Sequence, residues 1–158
     1  MDKRLLGLLI VLVALLAYAM KTAKLPPATV EYEEVYYDNN RSITYIVVNP
    51  QTGEGDGLFG LKINPLVDSF ELRIKFPEGT KYVVGYGNES FRGVDSFSIK
   101  VEKGKVPEWV YVQFTLSPEL TKKVVRGEVN ATIEIRMSKL PLWRWEDTIY
   151  IEKQKEGS

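Results

Sequence analysis

Three Asn-X-Ser/Thr triplets are the clearest chemical signal in the sequence. They begin at Asn40, Asn88 and Asn130, and none has proline in the middle position, so each meets the sequence requirement for N-glycosylation. Asn40 and Asn88 fall among turn-forming residues and Asn130 on the outward side of a strand pattern, where a glycosyltransferase would reach them. Asn beside a small hydroxyl residue is also common in plain turns, so the two interpretations stay open at each site.

Two aromatic residues, Trp109 and Tyr111, fall on the polar side of an alternating strand pattern, beside Gln113 and Thr115. Exposed aromatic side chains on a sheet anchor protein partners or stack on sugar rings. Burial under a loop is the alternative. These two residues are the candidate binding face.

The residues of the common catalytic sets are missing. The chain has no histidine and no cysteine, and it contains neither a G-x-S-x-G elbow nor a phosphate-binding glycine loop. The adjacent carboxylates Glu33–Glu34 and Glu146–Asp147 would point to opposite faces of their strands. We therefore predict a protein that is not an enzyme and needs no cofactor, and a hydrolase with carboxylates converging from distant strands remains the alternative.

The segment Gly53–Gly57 places Glu54 and Asp56 in a glycine-rich loop. Two carboxylates in such a loop could supply oxygen ligands to calcium, although the spacing fits no EF-hand. We predict an acidic hairpin loop and keep the metal site as a weak alternative.

An uncharged run, Leu5–Met20, follows Lys3 and Arg4 and precedes Lys21 and Lys24. As a helix it would extend roughly 24 Å, somewhat short of a bilayer core of about 30 Å unless the flanking lysines snorkel. This predicts a membrane anchor with the rest of the chain outside.

The same run also has the parts of a signal peptide. A basic start precedes the apolar segment, and Ala17-Tyr18-Ala19 supplies the small-x-small pattern at which cleavage would follow Ala19. Either interpretation predicts export, to a membrane-anchored or a secreted form. Pro26 and Pro27 then end any helix.

The charge balance excludes nucleic acid as a partner. The chain has 21 basic and 21 acidic residues, and residues 1–24 hold four of the basic and one of the acidic. The remaining 17 basic against 20 acidic residues leave a mildly acidic domain, whereas nucleic-acid binding needs a clustered basic face.

The composition also bears on stability and source. Without cysteine the domain must be held by burial and strand pairing. The lack of histidine, the low glutamine content and the abundance of Val, Ile, Tyr, Glu and Lys are typical of a hyperthermophile, and we predict an archaeal one. Chance in a short chain is the alternative.

From Val30 onward the apolar residues recur with a period of two, which predicts half-buried strands. The clearest are Phe70–Phe76, Val110–Leu116 and Val129–Met137. Further strands are predicted at Thr29–Tyr37, Ser42–Val48, Leu58–Ile63, Lys81–Tyr86, Asp95–Val101 and Arg144–Glu152. Only Pro118–Val124 has room for a helical turn.

About nine short strands without long helices between them predict an all-β domain, an antiparallel β-sandwich preceded by one N-terminal apolar helix. The pattern over Val30–Ile151 resembles the immunoglobulin-like and fibronectin type III-like sandwiches of archaeal-type cell-envelope proteins. The predicted organisation is a leader at 1–24, a linker at 25–29, the sandwich at 30–153 and a polar tail at 154–158.

This organisation predicts a non-catalytic, tethered domain that binds another envelope component, such as a surface-layer protein, a filament or a membrane complex. The layout is similar to that of archaellum stator-type subunits, which carry one membrane helix and an outer sandwich. A secreted carbohydrate- or ligand-binding module is the alternative from a different class.

Overall fold

A computed structural model describes residues 2–22, 25–140 and 142–154. Residues 23 and 24 of the predicted leader and residues 155–158 of the predicted tail lie outside the described residues. The elements in chain order are α1 (Lys3–Thr22), β1 (Ala28–Glu33), β2 (Tyr36–Asp38), β3 (Arg41–Val48), β4 (Gly55–Pro65), β5 (Ser69–Lys75), β6 (Lys81–Tyr86), β7 (Glu89–Val94), β8 (Ser96–Glu102), β9 (Val110–Leu116), α2 (Pro118–Val125), β10 (Ala131–Ser138) and β11 (Arg144–Lys153).

The strands form one mixed sheet that is nearly closed into a barrel. Its order is β7-β6-β9-β4-β3-β11-β10-β5-β8, with β1 paired to β4 and β2 to β3. The pair β3–β11 is parallel and the other strand pairs are antiparallel. The two outermost strands, β7 and β8, follow one another in the chain, and the rings of Phe91 and Phe97 lie 5.6 Å apart where they meet.

Two different strands, β3 and β1, lie between β4 and β11. β3 pairs with the start of β4 and β1 with its end. β3 pairs with β4 over Gly55–Gly57, whereas β1 pairs with β4 over Gly60–Pro65. The hydroxyl of Tyr32 on β1 donates a 2.6 Å hydrogen bond to the Asp147 carboxylate on β11. This bond links β1 to β11 where β3 no longer separates them.

The core follows the predicted period of two. Phe70, Leu72, Ile74 and Phe76 are buried, as are alternate residues of β9 and β10. The buried set also includes Phe59, Leu61, Val84, Phe97, Ile133, Ile135, Met137 and Ile149. The all-β prediction is therefore confirmed, and α2 occupies the one segment in which a helical turn was predicted.

Several details of the predicted fold were wrong. The antiparallel sandwich is not confirmed, because the strands are hydrogen-bonded into one continuous sheet that contains a parallel pair. The predicted strand Thr29–Tyr37 is two strands, because Glu34 has a φ of 63° and turns the chain. β7 was not predicted at all, whereas β1 begins at Ala28, one residue before the predicted start at Thr29.

The predicted apolar helix is present as α1, and its apolar side chains are exposed, from 45% at Leu6 to 68% at Tyr18. Among the described residues, no helix meets the length and hydropathy that a membrane crossing requires.

Two glycines of the sheet are covered by aromatic rings. Gly57 pairs with Phe114 and Gly93 with Tyr82. A Cβ at Gly57 would lie within 2.2 Å of the Phe114 ring, which is itself buried. The ring thus takes the place that a side chain on β4 would otherwise fill.

The Gly57→Ala substitution should therefore lower the free energy of unfolding by about 1–3 kcal/mol, because a buried ring must move. Gly85→Ala is the matched control, since its Cβ would approach nothing closer than 3.9 Å, and its effect should stay within about 0.5 kcal/mol. Urea unfolding of both variants measures the difference. Equal effects would contradict the role of the ring.

The Tyr32–Asp147 bond predicts a pH dependence. Burial, followed by the hydrogen bond and the charge of Asp147, raises the pKa of Tyr32 well above its ordinary value of 10.0. The unfolded chain therefore loses this proton at a lower pH than the folded one, and the stabilisation present below pH 10 declines as the pH rises further.

Tyr32→Phe should cost about 1–2 kcal/mol at pH 7, and this difference from the wild type should shrink between about pH 9 and 11. Urea unfolding across that range measures it. Tyr37→Phe is the control because that side chain is 75% exposed. Wild-type and Tyr32→Phe stabilities that fall in parallel would refute the assignment.

Candidate functional site

A groove of about 640 Å³ lies on the outside of the sheet. It runs along the first half of β4, between β3 on one side and β9 on the other, and the bend between β1 and β2 forms its head. We call it the β4 groove. Its lining residues are Glu33, Glu34, Tyr36, Tyr45, Val47, Asp56, Gly57, Leu58, Phe59, Gly60, Tyr111, Gln113, Phe114, Thr115 and Gln154.

Aromatic side chains stand on both walls of the β4 groove. On the β3 side the rings of Tyr36 and Tyr45 lie 5.5 Å apart. On the β9 side Tyr111 is stacked with Trp109, with ring centroids 6.3 Å apart and planes at 25°. Tyr111 faces outward because its neighbours Val110 and Val112 on β9 are buried in the core.

Two apolar side chains between these walls face solvent. Val47 is 61% exposed and Leu58 is 44% exposed. They lie on neighbouring strands, near the Ile46–Gly57 pair. Together with the 45% exposed Tyr111 they make an apolar surface inside a polar rim, which is the usual composition of a binding site.

Two carboxylates at the head of the groove are held by tyrosine hydroxyls. Tyr36 donates a 3.1 Å hydrogen bond to Glu34, and Tyr111 donates a 3.4 Å bond to Glu33. The bond to Glu34 raises the pKa of Tyr36. Desolvation, followed by the charge of Glu33, raises the pKa of Tyr111. Both phenols thus remain hydrogen-bond donors to the acids at neutral pH.

The placement of Glu33 and Glu34 corrects the expectation that adjacent carboxylates lie on opposite faces. Glu33 ends β1, and Glu34 follows with a φ of 63°. The left-handed residue interrupts the two-residue alternation of the strand, so both side chains line one groove. Sequence reasoning had no signal for this, because glutamate rarely adopts a positive φ.

The charge of the groove is negative. Glu33, Glu34 and Asp56 line it, and among the described residues of its lining there is no lysine or arginine. Asp56 accepts a 2.8 Å hydrogen bond from the hydroxyl of Thr115. The groove therefore presents fixed carboxylates next to aromatic and aliphatic surface.

Of the weak calcium candidates, Glu54 lies in the loop before β4 and Asp56 near the start of β4. Within residues 2–22, 25–140 and 142–154, no group of three or more acidic side chains is placed to hold a metal ion. The calcium site stays an untested prediction.

The three sequon asparagines are all exposed. Asn39 and Asn40 form the two-residue turn between β2 and β3, with φ of 51° and 62° as a type I′ hairpin turn requires. Asn88 lies in the β6–β7 turn, and Asn130 immediately precedes β10. The geometry therefore leaves all three accessible.

A second concavity of about 560 Å³ lies beside the β2–β3 turn and includes Asn40 and Arg41. Arg41 lies 4.7 Å from the centre of the Tyr150 ring and makes a 2.9 Å ion pair with Glu152. These contacts tie β3 to β11. Trp145 is partly buried and packs against the core.

No protein-family model and no curated protein matches the chain. Among solved structures it is similar to ACE19, the collagen-binding subdomain of the Enterococcus faecalis surface protein ACE, with 5% identity, a TM-score of 0.38, and coverage of 82% of this chain and 98% of that one. It is also similar to the sporulation control protein Spo0M of Bacillus subtilis, with 16% identity, a TM-score of 0.34, and coverage of 82% and 51%. Neither likeness supports a conclusion about function.

Proposed function

We propose that this protein is a non-catalytic, extracytoplasmic domain that binds another component of the cell envelope through the β4 groove. The observation that carries the proposal is the combination of exposed Leu58, Val47 and Tyr111 with three carboxylates in one concave surface. The ring of Tyr111 is stacked on that of Trp109. Such exposed apolar surface with a polar rim is typical of protein interfaces.

The chemistry of the groove indicates what its partner presents. The three carboxylates that line the groove favour a partner with lysine or arginine side chains. Aromatic rings beside them accept a cation over their faces as well as apolar contacts. We infer a protein surface that combines basic and apolar side chains.

The leader supports the extracytoplasmic location. Leu5–Met20 is uncharged and basic residues precede it, and in α1 its leucines remain exposed. We propose that α1, which falls short of what a full membrane crossing requires, inserts its exposed apolar side chains into the membrane and keeps the domain at the cell surface. Cleavage after Ala19 would instead yield a secreted domain with the same groove.

A carbohydrate-binding module is the second candidate. The stacked rings of Trp109 and Tyr111 and the acceptor oxygens of Glu33 and Glu34 are the groups that proteins use against sugar rings and hydroxyls. A glycan array separates the two candidates, since binding to a defined glycan that Tyr111→Ala removes would favour this one.

Substitution Leu58→Asp tests the groove. It adds a charge to the apolar floor and should reduce recovery of a stoichiometric partner from gently solubilised native membranes by roughly tenfold or more. Val94→Asp is the matched control, because Val94 is 52% exposed on β7, outside the lining of the groove. The measurement is quantitative mass spectrometry of proteins co-purified with the tagged full chain.

The same proteins recovered with both variants, or no stoichiometric protein with the wild type, would count against the groove as the partner site. Circular dichroism of the two variants must match that of the wild type for the comparison to hold.

We also propose that at least one of Asn40, Asn88 and Asn130 carries a glycan in a source organism that has the pathway. The intact mass of the native protein should then exceed that of its chain, and Gln at the modified site should remove the increment. Asn64→Gln is the control, because Asn64 is exposed but followed by Pro65-Leu66. A native mass equal to that of the unmodified chain would refute the proposal.

The N-terminus of the protein in the same sample distinguishes the membrane-anchored form from the form released by cleavage.

A further inference from the structure

The segment that follows α1 in the chain lies at one end of the β domain, together with three turns between strands. Strands β1, β5 and β11 begin at this end. Their antiparallel partners β4, β8 and β10 end there. We call it the leader-proximal end. The described residues that form it are 25–27, 66–68, 103–107, 139–140 and 142–143.

Backbone hydrogen bonds join these turns into one surface. Leu25 N–H donates to the Leu142 carbonyl at 2.9 Å, and Leu66 N–H donates to the Pro27 carbonyl at 2.8 Å. Lys103 N–H donates to the Asp68 carbonyl at 2.8 Å. The turns therefore keep a fixed arrangement at this end.

Three of these turns each expose a leucine. Leu25 is 43% exposed, Leu66 is 53% exposed and Leu140 is 60% exposed. A single exposed leucine is common on a protein surface, but three that gather at one end of a domain are typical of a protein or membrane interaction site.

Exposed lysines lie at the same end of the domain. Lys139 precedes Leu140, and Lys103 and Lys105 are in the neighbouring 103–107 turn. Lys105 lies 3.3 Å from Glu102, and Asp68 is also exposed here, so the end is only weakly basic. Exposed leucines and lysines at one end of a domain suit the interfacial zone of a bilayer, where the aliphatic groups enter and the ammonium groups stay at the phosphates.

The chain connectivity identifies the covering surface. α1 ends at Thr22 and Leu25 already belongs to the leader-proximal end. Three residue steps span at most about 11 Å. If α1 is in a membrane, Leu25 therefore lies within about 11 Å of the end of α1, and this end of the domain lies close to the lipid headgroups.

We propose that the leader-proximal end rests on the lipid surface, with Leu25, Leu66 and Leu140 inserted into the interfacial zone. The inference rests on the membrane-anchored form of the proposed function and adds an orientation to it. The β4 groove, which is lined by the first residues of β4 and by Val47 and Thr115, lies toward the opposite end of the strands. Docking on lipid would therefore hold the groove away from the membrane, toward a partner in the envelope.

Site-directed spin labelling of the full chain tests this orientation. The chain has no cysteine, so L140C, V129C and L9C each accept a single nitroxide. Leu140 reports on the leader-proximal end, and Val129 is the matched control at the opposite end, 37% exposed before β10. Leu9 reports on α1. The protein is reconstituted in phosphatidylcholine vesicles with and without phosphatidylglycerol.

The measurement compares relaxation of the nitroxide by oxygen, which concentrates in the bilayer, with relaxation by a water-soluble nickel chelate. We expect the label of L140C to be shielded from the nickel chelate several-fold relative to that of V129C, in both lipid compositions. Shielding that requires phosphatidylglycerol would overturn the insertion of the leucines, because lysine attraction alone would then account for it.

The outcomes separate this inference from the proposed function. A bilayer-embedded label in L9C together with equal water exposure in L140C and V129C leaves the tether standing and refutes the docked end. A water-exposed label in L9C refutes the membrane tether and the docked end together, while the groove proposal is unaffected.

Discussion

The fold depends on how the sheet closes between β4 and β11. Backbone N–H and C=O groups at an open strand edge need partners, and an unpaired edge is also a site of association. Here β4 pairs with β3 near its start and with β1 near its end. The Tyr32–Asp147 hydrogen bond then connects β1 to β11 across the remaining interval.

The same closure creates the candidate site. For β1 and β2 to pair with different neighbours, the chain has to reverse at Glu34 and Val35. That reversal places two acidic side chains at the head of the β4 groove, where Tyr36 and Tyr111 donate hydrogen bonds to them. The acidic character of the groove is thus a consequence of strand pairing rather than of a local motif.

The two proposed surfaces divide the molecule along its strands. Apolar turns and the leader share one end, and the groove lies toward the other. A domain with this polarity would keep a fixed orientation at a membrane while it presents its aromatic and acidic surface outward. A short connection between α1 and β1 matters for this arrangement, because a long flexible linker would leave the domain free to rotate.

The sequence by itself determined the apolar N-terminal helix, most strands and the residues of the core. A period of two assigns each strand one buried face, as in Phe70–Phe76 and Val110–Leu116, and it also put Tyr111 on the outside. It missed β7, because Gly93 is a poor strand residue until the Tyr82 ring covers it. Tertiary structure alone decided the parallel β3–β11 pair, the left-handed Glu34 and the convergence of Glu33, Tyr36, Leu58 and Tyr111. Those features arise from contacts between residues far apart in the chain, and local periodicity carries no information about which strands become neighbours.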